Sequence, residues 1–302
     1  MAQETRIWHD LTAARGAGVL VRLGGLAARY AAPAELLAFV PFAGPTGGFK
    51  DSLAEGMIRM AEQSGALAPG ALVTESGAGA FSLALALAGY RTGHPVVLCV
   101  PAQTALVRQQ QLAEAGARLV LTAGERAACE KRAAALAAER GGYFMNRFAN
   151  DLNPEYHRRV TGPALLQSAG AKLDFLVAGV GSGGTITGVG EYIKAWTNGV
   201  QVIAVEPAES QVLAGGFAGA HGLFGIGLGF VPENYNPYIV DGLFPVSTGD
   251  GKKTAQEALL CDGMALGPAS GAVLYAALSL ACRPENAGKR VIALLGGGAA
   301  AS

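Results

Sequence analysis

Apolar residues along the chain fall into two alternating patterns. One is a set of short continuous runs: ALVT (residues 71–74), VVLCV (96–100), RLVLT (118–122), DFLVAGV (174–180), VQVIAVEP (200–207) and RVIALL (290–295). Each is bounded by glycine, proline or polar residues, as buried strands are. The other has helical spacing. Leu53, Met57, Ile58 and Ala61 share one face and Gly65 is a stop signal; residues 106–114 run to Gly116; residues 125–140 are alanine-rich and stop at Gly141 and Gly142. Strand–helix alternation predicts an α/β fold whose parallel sheets are covered by helices on both faces. Ligands of such folds sit at the carboxyl ends of strands, in the loops that start helices, so the glycine-rich loops are the candidate sites.

At 302 residues the chain exceeds one ordinary core, and two lobes or one large α/β domain are expected. Hydrophobic residues make up 51% and charged ones only 15%, a thin polar surface that suits a partner subunit. Net charge is zero and no basic stripe is present, which argues against nucleic acid as a partner. The longest apolar run, residues 80–90, is broken by Ser82 and Gly89 and is too short for a bilayer. MAQETRIWHD has no basic head followed by an apolar stretch, so a cytoplasmic protein without a leader is expected. Cys99, Cys129, Cys261 and Cys282 are far apart and read as buried free thiols. His9, His94, His157 and His221 lack metal-ligand spacing, so no metal site is expected.

Two glycine-rich loops carry the chemistry. GVGSGGT (residues 179–185) follows an apolar strand and opens a helical stretch. Glycines there let several N–H groups converge on one anion at the positive end of a helix, and Ser182 and Thr185 add hydroxyl donors. The same loop satisfies GxGxxG through Gly179, Gly181 and Gly184, with Glu206 lying 22 residues further on. That spacing suits an NAD-dependent oxidoreductase, although the loop lies in mid-chain. The second stretch is GPTGGFKD (residues 44–51), which presents Lys50 at the start of an amphipathic segment. Such a lysine binds phosphate or condenses with a carbonyl. The following Asp51 and the glycine spacing do not fit a P-loop. A carbonyl-capturing lysine together with a phosphate cradle is what pyridoxal phosphate requires.

These segments resemble the cysteine synthase and cystathionine β-synthase group of fold type II pyridoxal phosphate enzymes. PTGGFKD is similar to the group's lysine motif and GVGSGGTITGVGEYIK to its phosphate loop. NDLNPEYHRRVTGPALL, VEPAESQVLAGG, HGLFGIGLGFVPENYN and GPASGAVLYAALSLA match in the group's order. The resemblance covers nearly the whole chain. It implies two α/β lobes with a cofactor cleft between them, the smaller spanning residues 38–140 and the larger residues 1–37 plus 141–302. It implies that Lys50 is the Schiff-base lysine and also the base and acid at the substrate α-carbon. Gly181, Ser182, Gly183, Gly184 and Thr185 correspond to the phosphate cup, and Gly225 opens a segment beside the cofactor ring. Residues 75–80 correspond to the loop that grips the substrate carboxylate. The implied reaction is β-replacement: O-acetylserine loses acetate and sulfide adds to give cysteine. The group is homodimeric.

The departures from the group's pattern gather where the chemistry should be. Its Thr-Ser-Gly-Asn-Thr-Gly loop reads Glu75-Ser76-Gly77-Ala78-Gly79-Ala80, and its assisting glutamine is Arg147. Arg147 is open to three readings: a pair with Glu75, a bidentate grip on the substrate carboxylate, or a solvated surface residue. The serine that meets the pyridine nitrogen is Ala269, with Ser270 next to it as a candidate replacement. The early Gly-Asn-Thr-Pro-Leu motif reads GAGVL (residues 16–20), and the close LLGGGAAAS lacks the group's usual ending. The departures suit a divergent, regulatory paralogue with altered substrate or little activity as an alternative to a cysteine synthase-type enzyme.

Overall fold

Ten strands carry the architecture of the computed structural model, which describes residues 18–41 and 44–297. His9, the N-terminal stretch, the first residues of GAGVL and the end of LLGGGAAAS lie outside the described residues. The strands are β1 (Gly18–Arg22), β2 (Glu35–Pro41), β3 (Val73–Ser76), β4 (Val96–Pro101), β5 (Ala117–Thr122), β6 (Tyr143–Phe144), β7 (Phe175–Gly179), β8 (Gln201–Pro207), β9 (Gly242–Val246) and β10 (Arg290–Leu294). They form a six-stranded sheet in the order β1-β2-β10-β7-β8-β9 and a four-stranded sheet in the order β5-β4-β3-β6. Only β1 against β2 is antiparallel; every other pair is parallel.

All six apolar runs are strands, the first displaced to Val73–Ser76. The helical segments are Phe49–Gln63, Leu106–Glu114 and Arg126–Glu139, and Gly65, Gly116 and Gly141 adopt the positive φ of helix ends. Helices cover both faces of both sheets. In the larger sheet, helix Pro268–Ala281 packs on one face through Leu274 and Ala277, while helix Gly184–Trp196 packs on the other through Ile186, Val189 and Ile193. In the smaller sheet, helix Phe49–Gln63 buries Leu53, Met57 and Ile58 together with helix Ala80–Thr92, and helix Arg126–Glu139 covers the opposite face. Each such buried leucine, isoleucine, valine or methionine contributes about 1.5–3 kcal/mol.

The sheets exchange chain between Pro41 and Phe49 and again after Phe144. β2 therefore belongs with the larger sheet through Pro41, beyond residue 38, because its apolar run pairs with β10 up to Phe39 and with β1 up to Pro41. β6 adds to the smaller sheet beyond residue 140. No helix among the described residues is long and apolar enough to cross a membrane.

Candidate active site

β2, β10 and β7 are adjacent and parallel, so their carboxyl ends open on one edge. The turn after β2 carries Lys50, the loop after β7 carries residues 181–185, and the segment after β10 carries Gly296 and Gly297. The loop after β3, residues 77–79, faces them from the smaller sheet. Together they line one cavity of about 650 Å³. Of the site residues drawn from the sequence, all but Glu75, Ser76, Gly77 and Gly184 line it.

The lysine turn is held by its neighbour. The Asp51 carboxylate accepts hydrogen bonds from Thr46 N at 3.0 Å and Thr46 Oγ1 at 2.7 Å, closing the turn in front of the helix. Gly47 has φ +79°, and Gly48 bridges to Gly297, where a Cβ would overlap the Gly296 carbonyl. Phe49 is buried, stacked on Phe39 and edge-on to His157, which fixes the direction of the next side chain. Lys50 Nζ makes no hydrogen bond or ion pair among the described residues. Burial holds the amine below the ordinary lysine range; the Arg147 charge adds to this and Asp51 opposes it. Gly225, at φ +100°, leaves space beside the amine: a Cβ there would lie 4.0 Å from Nζ.

The anion cradle is mostly backbone. Helix Gly184–Trp196 starts from Gly183, at φ +83°, with no side chain capping it, so its first N–H groups are open to an anion. Asn153 Nδ2 donates to Ser182 Oγ at 3.0 Å, and His157 Nε2 lies 3.0 Å from Thr185 Oγ1. His157, in a π-helical turn (His157–Thr161), also meets Thr161 Oγ1 at 2.9 Å. Burial pushes its pKa down to about 3, so the ring is neutral and orients Thr185 without adding charge. At Gly181 a Cβ would overlap the Gly225 carbonyl, and at Gly184 it would overlap the side chain of Asn153, whose buried Oδ1 has no partner. These contacts set the loops at a separation that only glycine permits.

The wall on the smaller-sheet side answers one question left open by the sequence. Arg147 pairs with Glu75: Nη1 lies 2.9 Å from Oε1 and 2.7 Å from the Ser76 carbonyl, and Arg147 N donates to Oε2 at 3.1 Å. Glu75 is 1% exposed and lies behind the arginine rather than on the cavity surface. The guanidinium rests 4.0 Å from the Phe148 ring centre and reaches the cavity. Ser270 Oγ donates to the Gly297 carbonyl at 2.7 Å, beside Ala269. Glu206 is buried away from the cavity and accepts from Leu213 N at 2.9 Å, so it is not placed to hold a ribose. Sequence reasoning missed Asn153, His157, Arg108 and Gln111, which enter the site by packing; NPEYH was the one visible signal, because it lay in a matched segment. No group of three or more His, Cys, Asp or Glu able to hold a metal occurs among the described residues.

The residues fit pyridoxal phosphate: an unpaired amine and an uncapped helix start open into one cavity, with glycines clearing the space between them. The family model described as "Pyridoxal-phosphate dependent enzyme" matches residues 14–297. A cysteine synthase of Staphylococcus aureus (strain Mu50 / ATCC 700699) is 35% identical over 265 residues, covering 87% of this chain and 85% of the relative. A crystal structure of cysteine synthase from Entamoeba histolytica superposes with a TM-score of 0.90 at 32% identity, covering 99% of this chain and 90% of the other. An O-ureido-L-serine synthase structure gives a TM-score of 0.88 at 28% identity, covering 97% and 92%. The chain therefore belongs to the pyridoxal-phosphate dependent enzymes, with the fold type II architecture of the cysteine synthases and pyridoxal phosphate as its cofactor.

Proposed function

We propose that the chain is a cysteine synthase-type enzyme that replaces the β-substituent of a serine derivative, with O-acetylserine and sulfide as the reference substrates. The observation that carries this reading is the unpaired Lys50 amine in a cavity shared with the anion cradle at residues 181–185. Bound pyridoxal phosphate supplies an electron sink for the substrate α-carbon. In this reading the N–H groups at the start of helix Gly184–Trp196, with Ser182 and Thr185, hold the phosphate. Lys50 would hold the cofactor and, once displaced by the substrate's amine, would take and return the α-proton; burial holds this amine below the ordinary lysine range, in the direction that favours a base. Arg147, held by Glu75, presents its remaining guanidinium face to the substrate carboxylate. Ser270 would lie beside the cofactor ring, although its hydroxyl already donates to the Gly297 carbonyl. The two sheets act as two domains with the cleft between them.

The low share of charged residues supports a homodimer, and four free cysteines support a cytoplasmic protein. The test is the formation of cysteine from O-acetylserine and sulfide by protein loaded with pyridoxal phosphate. Turnover that falls by at least about a thousand-fold in Lys50→Ala supports the reading. Absence of turnover in the native protein, or turnover that survives the substitution, contradicts it.

A further inference from the structure

The cavity lining contains three cationic side chains, Lys50, Arg108 and Arg147, and no aspartate or glutamate. In the proposed reading two of the three have an assigned role: Lys50 serves the cofactor, and Arg147, braced by Glu75, serves the substrate α-carboxylate. Arg108 has none. Its Nε donates to the Ala78 carbonyl at 2.6 Å and its Nη1 to the neutral amide of Gln111 at 2.9 Å, leaving Nη2 without a partner among the described residues. Arg126, Arg158 and Arg290 each meet a carboxylate. A partly buried cation without a counter-ion is costly unless a ligand brings the opposite charge. Burial also holds the Arg108 guanidinium below its ordinary pKa.

The phosphate cradle does not fill this role. It belongs to the larger sheet, at the start of helix Gly184–Trp196, whereas Arg108 stands on helix Leu106–Glu114 beside the smaller sheet. Through the Ala78 carbonyl it is fixed to the loop that faces the substrate. A guanidinium with free N–H groups is suited to a carboxylate, sulfonate or phosphate. We infer that Arg108, with Gln111 beside it, forms a subsite for a second anionic group, so that the reacting molecules carry one anion beyond the substrate α-carboxylate and the cofactor. This rests on the β-replacement reading. The group enters either as the β-substituent of the serine derivative or as an acid on the attacking molecule.

Calorimetric titration of the protein loaded with pyridoxal phosphate separates the two sources. L-alanine is the reference, L-cysteate carries a β-sulfonate, and 3-hydroxypropionate is titrated into protein already saturated with L-alanine. Affinity for L-cysteate at least about ten-fold above that for L-alanine places the anion on the β-substituent. Saturable binding of 3-hydroxypropionate places it on the attacking molecule. In either case Arg108→Gln is expected to remove most of the gain and Arg108→Lys to retain part of it. The inference is overturned if L-alanine binds but neither acid gains, or if Arg108→Gln weakens L-alanine and L-cysteate equally, since Arg108 would then only hold the Ala78 carbonyl. If L-alanine itself does not bind, the β-replacement reading fails and the subsite falls with it.

Discussion

On the larger-sheet side of the cavity, an anion is met by backbone: Gly183 in a left-handed conformation, an uncapped helix start, and loops packed too closely for a Cβ at Gly181. On the smaller-sheet side, the same cavity is built from side chains: Glu75 buried beneath Arg147, and Arg108 on the Ala78 carbonyl. Backbone geometry of the first kind permits few substitutions. A side-chain wall can be rewritten in pairs without moving the chain. In the proposed reading the two sides separate cofactor holding from substrate selection. The departures from the cysteine synthase pattern at Glu75, Ala78 and Arg147 all lie on the second side.

The comparison predicts unequal consequences. The largest at neutral pH is at the ion pair. Arg147→Ala leaves Glu75 buried without its partner and is expected to cost about 3 kcal/mol in denaturant unfolding. The double variant Glu75→Thr with Arg147→Gln is expected to recover most of that loss and to retain cofactor binding. Additive losses would show that the pair is not coupled. Next is Gly183→Ala, which places a Cβ 2.7 Å from Tyr235 N in a left-handed conformation. It is expected to weaken cofactor binding by about 2 kcal/mol, read by titration with pyridoxal phosphate, while leaving the Glu75–Arg147 pair intact.

His157 ties the cradle to pH. The unfolded residue takes a proton near pH 6.5, whereas the buried ring stays neutral down to about pH 3. Its stability contribution is fully present above pH 6.5 and is lost as pH falls, by up to about 1.4 kcal/mol per pH unit. His157→Gln is expected to flatten this part of the acid limb in unfolding measured against pH. The smallest effect is Asp51→Asn. It keeps an acceptor for Thr46 but loses the charge, and about 1 kcal/mol of cofactor affinity is expected to go with the looser lysine turn.

The parts legible in the sequence were those encoded in consecutive residues. β4, β7 and β8 are buried through most of their length and read as continuous apolar runs. The edge strands β6 and β9 did not. β9 alternates exposed and less exposed residues and contains Pro245, and β6 has only two residues. β2 is apolar almost throughout, but alanine-rich flanks leave such a run indistinguishable from a buried helix. In the site, Lys50 and the cradle were legible because glycine loops carry their geometry locally. Arg108 on Ala78, Asn153 on Ser182 and His157 on Thr185 join segments about thirty residues apart, and only packing brings them together. The Glu75–Arg147 pair was one of three open readings, and its 72-residue separation is closed by the loops that follow β3 and β6.

The central claim is that the turn after β2 presents Lys50 to the cofactor. The most direct measurement is borohydride reduction of the protein loaded with pyridoxal phosphate, followed by peptide mass mapping. The account predicts one pyridoxyl group per chain, on Lys50, and none there in Lys50→Ala. A label on another lysine, or no stable label on the native protein, would contradict it.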